Sequence, residues 1–152
     1  MSYEIKIKDI EPVLAAVLRF TGRHKDAGKH FPDIYKALKG KSSGSPFFCY
    51  YDKEFQETAN IEVCVPVSEK KELRGIMIKE FPRIKAVSGI HTGSYETIRN
   101  TYKALSEYIS EKQLKTELPV REVYIKGPGM FFKGNPDNYI TEIIIPLYDE
   151  NF

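Results

Sequence analysis

A chain of 152 residues with 23 Lys and Arg against 21 Asp and Glu has a net charge of only +2, too little for the basic stripe of a nucleic-acid-binding surface. Its 41% hydrophobic and 29% charged residues match a globular chain long enough to bury a core. No apolar run reaches the roughly 18–20 residues of a membrane helix. The first residues lack a signal layout, and two cysteines in that context point to a reducing cytoplasm.

Tyr3, Ile5 and Ile7 alternate with Glu4, Lys6 and Lys8, the period of a half-buried strand. Pro12 interrupts, and Val13 to Arg19 predicts a second strand. Phe31, Ile34, Tyr35 and Leu38 recur at helical spacing, with Pro32 near the start and Gly40 past the end. The Ser/Gly loop Lys41 to Ser45 leads to strands at Phe47–Tyr51 and Ile61–Val67. From Leu73 onward Ile76 and Ile78 alternate with Met77 and Lys79, and Arg83 to Ile90 predicts another strand. Gly93-Ser94 opens a long helix with Ser94 as N-cap and Ile98, Tyr102, Leu105 and Ile109 as its apolar stripe. A strand at Val120–Ile125, a Gly/Pro-rich loop from Gly127 to Asn138 and a strand at Tyr139–Leu147 complete the chain. The sum is α+β.

The order repeats. Glu62-Val63-Cys64-Val65-Pro66 returns as Glu142-Ile143-Ile144-Ile145-Pro146, and Pro46 to Tyr51 is answered by Val120 to Ile125. Pro12 to Phe20 is answered by Pro82 to Ile90. Two pseudo-symmetric copies, about 1–70 and about 71–152, form a single domain, since no low-complexity linker divides them. Within each strand, alternation assigns faces. Ile61, Val63 and Val65, like Ile143, Ile145 and Leu147, are expected beneath the helices, as are Val123 and Ile125. The opposite face is expected to collect Phe48, Tyr50, Tyr124, Glu62, Glu122 and Glu142, with Glu122 at the rim.

A carboxylate among tyrosines has a chemical logic. It loses water and needs donors or a cation, while phenol faces attract a cation through their quadrupoles. Tyr35, Tyr95, Tyr102 and Tyr108 belong to helices, where packing is the default. His24, His30 and His91 are scattered, and no Cys/His/Asp spacing resembles a zinc set, so neither metal nor cofactor is expected. Cys49 is assigned to the core face and Cys64 to the groove face, which argues against a disulfide. Gly127-Pro128-Gly129 opens no helical pattern and reads as a turn, not a phosphate loop.

Arg121-Glu122-Val123-Tyr124-Ile125 followed by Tyr139-Ile140-Thr141-Glu142-Ile143-Ile144-Ile145-Pro146 resembles the C-terminal signature of GyrI-like small-molecule-binding domains, the effector-binding domains of AraC- and MerR-type transcription regulators. Ser45 to Asp52, Ile61 to Pro66 and His91-Thr92-Gly93-Ser94-Tyr95-Glu96 extend the resemblance over essentially the whole chain. It implies two strand–helix–strand–strand repeats in a curved antiparallel sheet, with two helices on one face and a ligand groove on the other. The groove takes hydrophobic and often cationic compounds, for sensing or sequestration. Glu142 matches the glutamate that meets the ligand's charge, and Tyr124, Tyr50, Phe48 and Glu62 complete the expected ligand site. No helix-turn-helix part precedes Met1, so the free-standing form is expected. The chain lacks the tryptophan often present in the first helix, where Tyr35 stands instead. Two alternatives belong to the same family: a hydrolase opening strained electrophilic rings of toxic small molecules with Glu142 and Tyr124, and a protein-binding inhibitor of DNA gyrase; a regulator or topoisomerase is the protein partner the resemblance implies.

Overall fold

The computed structural model describes residues 4–53, 57–128 and 134–148; Tyr3 and residues 129–133 of the expected long loop lie outside them. The alternating N-terminal residues form β1 (Glu4–Ile10), and Pro12 separates it from β2 (Val13–Gly22). A short helix α1 (His24–Ala27) passes through a 3-10 turn into α2 (Phe31–Ala37). Pro32 sits in the first turn of α2, where its missing N–H costs nothing. β3 (Phe47–Tyr50) and β4 (Ala59–Pro66) close the first copy.

The second copy runs β5 (Met77–Phe81), β6 (Ile84–Thr92), α3 (Ile98–Glu111), β7 (Val120–Lys126) and β8 (Ile140–Pro146). Ser94 caps the 3-10 turn that leads into α3, its Oγ accepting from the Glu96 N–H at 3.2 Å.

All eight strands join one antiparallel sheet in the order β1-β6-β8-β7-β3-β4-β2-β5. Replacing each strand of the first copy by its counterpart in the second, and the reverse, returns the same order read backwards. The outer strands are exchanged between copies: β1 pairs with β6, and β5 pairs with β2. The seam is the β3–β7 ladder, where Phe48 faces Glu122.

The sheet curls strongly. On a flat sheet β7 and β5 would stand about 19 Å apart, four strand spacings. Yet the Arg121 guanidinium carbon lies 5.1 Å from the centre of the Phe81 ring. The concave face buries Ala15, Val17, Phe47, Cys49, Cys64 and Phe81 against one another with no helix over them.

The helices cover the convex face. Ile34 and Leu38 pack with Ile61, Val63 and Val65, and Leu105 packs with Val87 and Ile143. Gly89 permits that second contact, since a Cβ there would lie 2.9 Å from a Leu105 methyl.

The expected faces of β3 and β7 are reversed, and Ile125, expected beneath the helices, lines a cavity on the concave side with Val123. Phe48, Tyr50 and Tyr124 join the helix-side core, whereas Val123 packs on the concave side. Cys49 and Cys64 share the concave face, both fully buried as free thiols. Parity within a strand follows from sequence, but parity between strands is set by register, and one residue of slip turns every side chain over. Phe48 lies opposite Val63 in the β3–β4 ladder, which puts it on the helix side.

Candidate functional site

The seam ladder places Phe48 and Glu122 side by side on the helix face, with Tyr50 and Tyr124 each two residues along their strands. Glu122 is only 9% exposed. One of its oxygens accepts from the Tyr124 hydroxyl at 2.9 Å and from the Tyr50 hydroxyl at 3.3 Å. The other accepts from the Tyr102 hydroxyl, delivered by α3. Three neutral donors thus solvate this acid, and among the described residues it makes no ion pair.

Aromatic rings surround this centre. Phe31 of α2 stacks on Phe48 with ring centres 5.0 Å apart and planes 3° from parallel. Tyr124 meets Phe48 edge-on at 5.1 Å, and Tyr95 meets Tyr124 edge-on at 5.7 Å. The His24 ring lies 5.1 Å from Tyr50. A Cβ at Gly127 would come within 2.8 Å of the Tyr95 hydroxyl, so a side chain there would require that phenol to shift.

Burial, then the nearby Glu122 carboxylate, pushes the phenols of Tyr50, Tyr102 and Tyr124 well above their ordinary range. Burial, with smaller help from Tyr139 and Glu122, raises Tyr95 to about 12. All four therefore remain hydrogen-bond donors at neutral pH.

Glu142 and Glu62 lie elsewhere, on the concave face. Glu142 accepts from the Ser88 hydroxyl at 2.6 Å and pairs with Lys8 at 2.5 Å. Glu62, 1% exposed, pairs with Lys79 at 2.9 Å and accepts from the Tyr51 hydroxyl. The two ion pairs are related by the internal symmetry: Lys8 faces Ala86 in the β1–β6 ladder as Lys79 faces Ala15 in the β5–β2 ladder.

The expected grouping of Glu142 with Tyr124, Tyr50 and Phe48 is therefore corrected: the sheet itself separates that acid from those rings. The same geometry removes the Glu142–Tyr124 pair offered for ring opening, because no water could touch both groups. Glu122, expected at the rim, holds the centre. Tyr102, assigned only to packing, is one of its donors. A buried phenol at a helix stripe position needs an acceptor, and that was the available signal.

A duplicated α+β domain with an acid-centred aromatic cluster at its seam belongs to the class of small-molecule-binding modules. The GyrI-like small molecule binding domain matches residues 3–148, and the chain belongs to that family. No curated protein sequence matches it. The crystal structure of the EcmrR C-terminal domain is similar at 27% identity and TM-score 0.84, covering 98% of this chain and 99% of that one. EcmrR in complex with DNA is similar at 26% identity and TM-score 0.83, with 97% of this chain covering 58% of that one. SAV2435 bound to tetraphenylphosphonium shares the fold at 16% identity and TM-score 0.64, covering 97% and 94% of the two chains. No helix among the described residues is long and apolar enough to cross a membrane.

Proposed function

We propose that the chain binds hydrophobic organic cations at Glu122, for sensing or sequestration. The observation that carries this reading is a buried carboxylate solvated by three neutral phenols and, among the described residues, matched by no cation. An entering cation adds the missing charge without having to displace a lysine. Ring faces contribute about 0.5–2 kcal/mol per cation–π contact in such surroundings. Phe31, stacked on Phe48, is the ring of α2 that a ligand would displace to reach the acid. Tyr50, Tyr124 and Phe48 serve as walls, while Glu62 and Glu142 take no part because each already holds a lysine. The binding of tetraphenylphosphonium by SAV2435, a protein of the same fold, agrees with this ligand class.

Calorimetric titration with tetraphenylphosphonium and the neutral triphenylphosphine oxide tests the reading. Glu122→Gln is expected to weaken the cation about tenfold or more, about 1.4 kcal/mol per decade, and the neutral compound hardly at all. Equal loss for both compounds would remove the charge from the argument.

A further inference from the structure

The residue before Glu122 points the other way and is left unused by that reading. Arg121 is 4% exposed on the concave face. Its Nε is buried without a hydrogen-bond partner, and among the described residues no carboxylate lies within ion-pair distance of its guanidinium. Phe47 and Phe81 offer only ring faces, at 5.8 and 5.1 Å from the guanidinium carbon.

The other buried charges of this face are handled differently. Glu62 and Glu142 each meet a lysine. A buried cation left without an anion is costly, and ring faces offset only part of that cost. Burial draws the Arg121 guanidinium below the usual arginine range, but arginine does not discharge in proteins.

A cavity of about 570 Å³ opens onto this residue beneath the β1–β2 crossing. Phe47, Val67, Val123 and Ile144 give it apolar walls. Of the acids that line it, Glu142 is neutralised by Lys8. Asp9 and Glu11, 52% and 76% exposed, lie beside Arg83 at 3.3 and 3.9 Å. Among the described residues, Arg121 is the unmatched charge of the buried lining.

We propose that this cavity binds a small amphiphilic carboxylic acid, its carboxylate on Arg121 and its hydrocarbon body against the apolar walls. The guanidinium fork matches a carboxylate in two parallel hydrogen bonds, and the volume suits a small ligand. The site lies across the sheet from Glu122, so its fate is independent of the cation reading.

Octanoate and its neutral amide, titrated into the whole protein by calorimetry, test it. Octanoate is expected to bind saturably and about tenfold or more tighter than octanamide, since a charge-assisted fork outweighs neutral contacts. Arg121→Gln should remove that preference, whereas Glu122→Gln should leave it in place. Should Arg121→Gln fail to fold, Ile125→Glu decides the matter. Ile125 lines the cavity and is 47% exposed, so an acid there repels the ligand without disturbing the core. Octanoate binding no tighter than octanamide, unchanged by Ile125→Glu, or lost in Glu122→Gln overturns the proposal.

Discussion

Two kinds of buried glutamate stand on opposite faces of one sheet. Glu62 and Glu142 occupy equivalent strand positions, and each is closed by a lysine from an exchanged outer strand. Glu122 is met only by phenols. Burial alone therefore does not make an acid a receptor for cations. On the proposed reading, what matters is whether the acid already holds a cation: Glu62 and Glu142 do, whereas Glu122 is bonded only to phenols.

The largest expected effect tests the paired acids. Lys79→Met leaves the 1%-exposed Glu62 with only the Tyr51 hydroxyl and the exposed Arg19 at 3.7 Å and should cost about 3 kcal/mol in urea unfolding, the low end for breaking a buried pair. Lys8→Met should cost only about 1 kcal/mol, because the Lys8 and Glu142 side chains are 35% and 12% exposed. Equal costs would end the distinction between the two pairs.

Next, Glu142→Gln should change tetraphenylphosphonium affinity by less than about twofold, against the tenfold or greater loss expected for Glu122→Gln. A large loss in Glu142→Gln would put the ligand on the wrong face. A smaller effect follows from Tyr102→Phe, which removes one donor to Glu122. It should destabilise the free protein by about 1 kcal/mol in thermal melts, and an unchanged melt would mean the phenol contributes only packing.

A further effect is on pH. Burial, then the bond to Glu62, raises Tyr51 to about 12, as burial raises Tyr95; ordinary phenols titrate near about 10. A raised folded-state pKa gives stability that is complete below the unfolded value and lost as pH climbs through the folded one. Melting temperature should therefore fall between about pH 10 and 12, and a flat profile across that window would contradict the raised phenols.

Much of this was legible in the sequence. The repeated Glu–apolar–Pro strands, the turn residues and the apolar stripe of α3 gave the element order and the duplication. Faces were legible within a strand but not between strands. Nothing local to Phe47-Phe48-Cys49-Tyr50 says which parity meets Val63, so an aromatic face and an acidic face were joined that the register keeps apart. Glu122 escaped for a related reason: its deciding partner, Tyr102, sits on a different element, and that meeting depends on how closely α3 settles on Gly89. Arg121 gave no signal at all, because what marks it is the lack of an acid nearby, which only folded geometry reveals.

The exchange of outer strands reaches back to synthesis. β1 is made before β6, yet the ladder it joins spans Ile84 to Ile90, so its backbone donors and acceptors wait while the residues between Ile10 and Ile84 are made. An early strand with an open edge is prone to wrong partners. The charges of Glu4, Lys6, Lys8 and Asp9 keep that segment soluble while it waits.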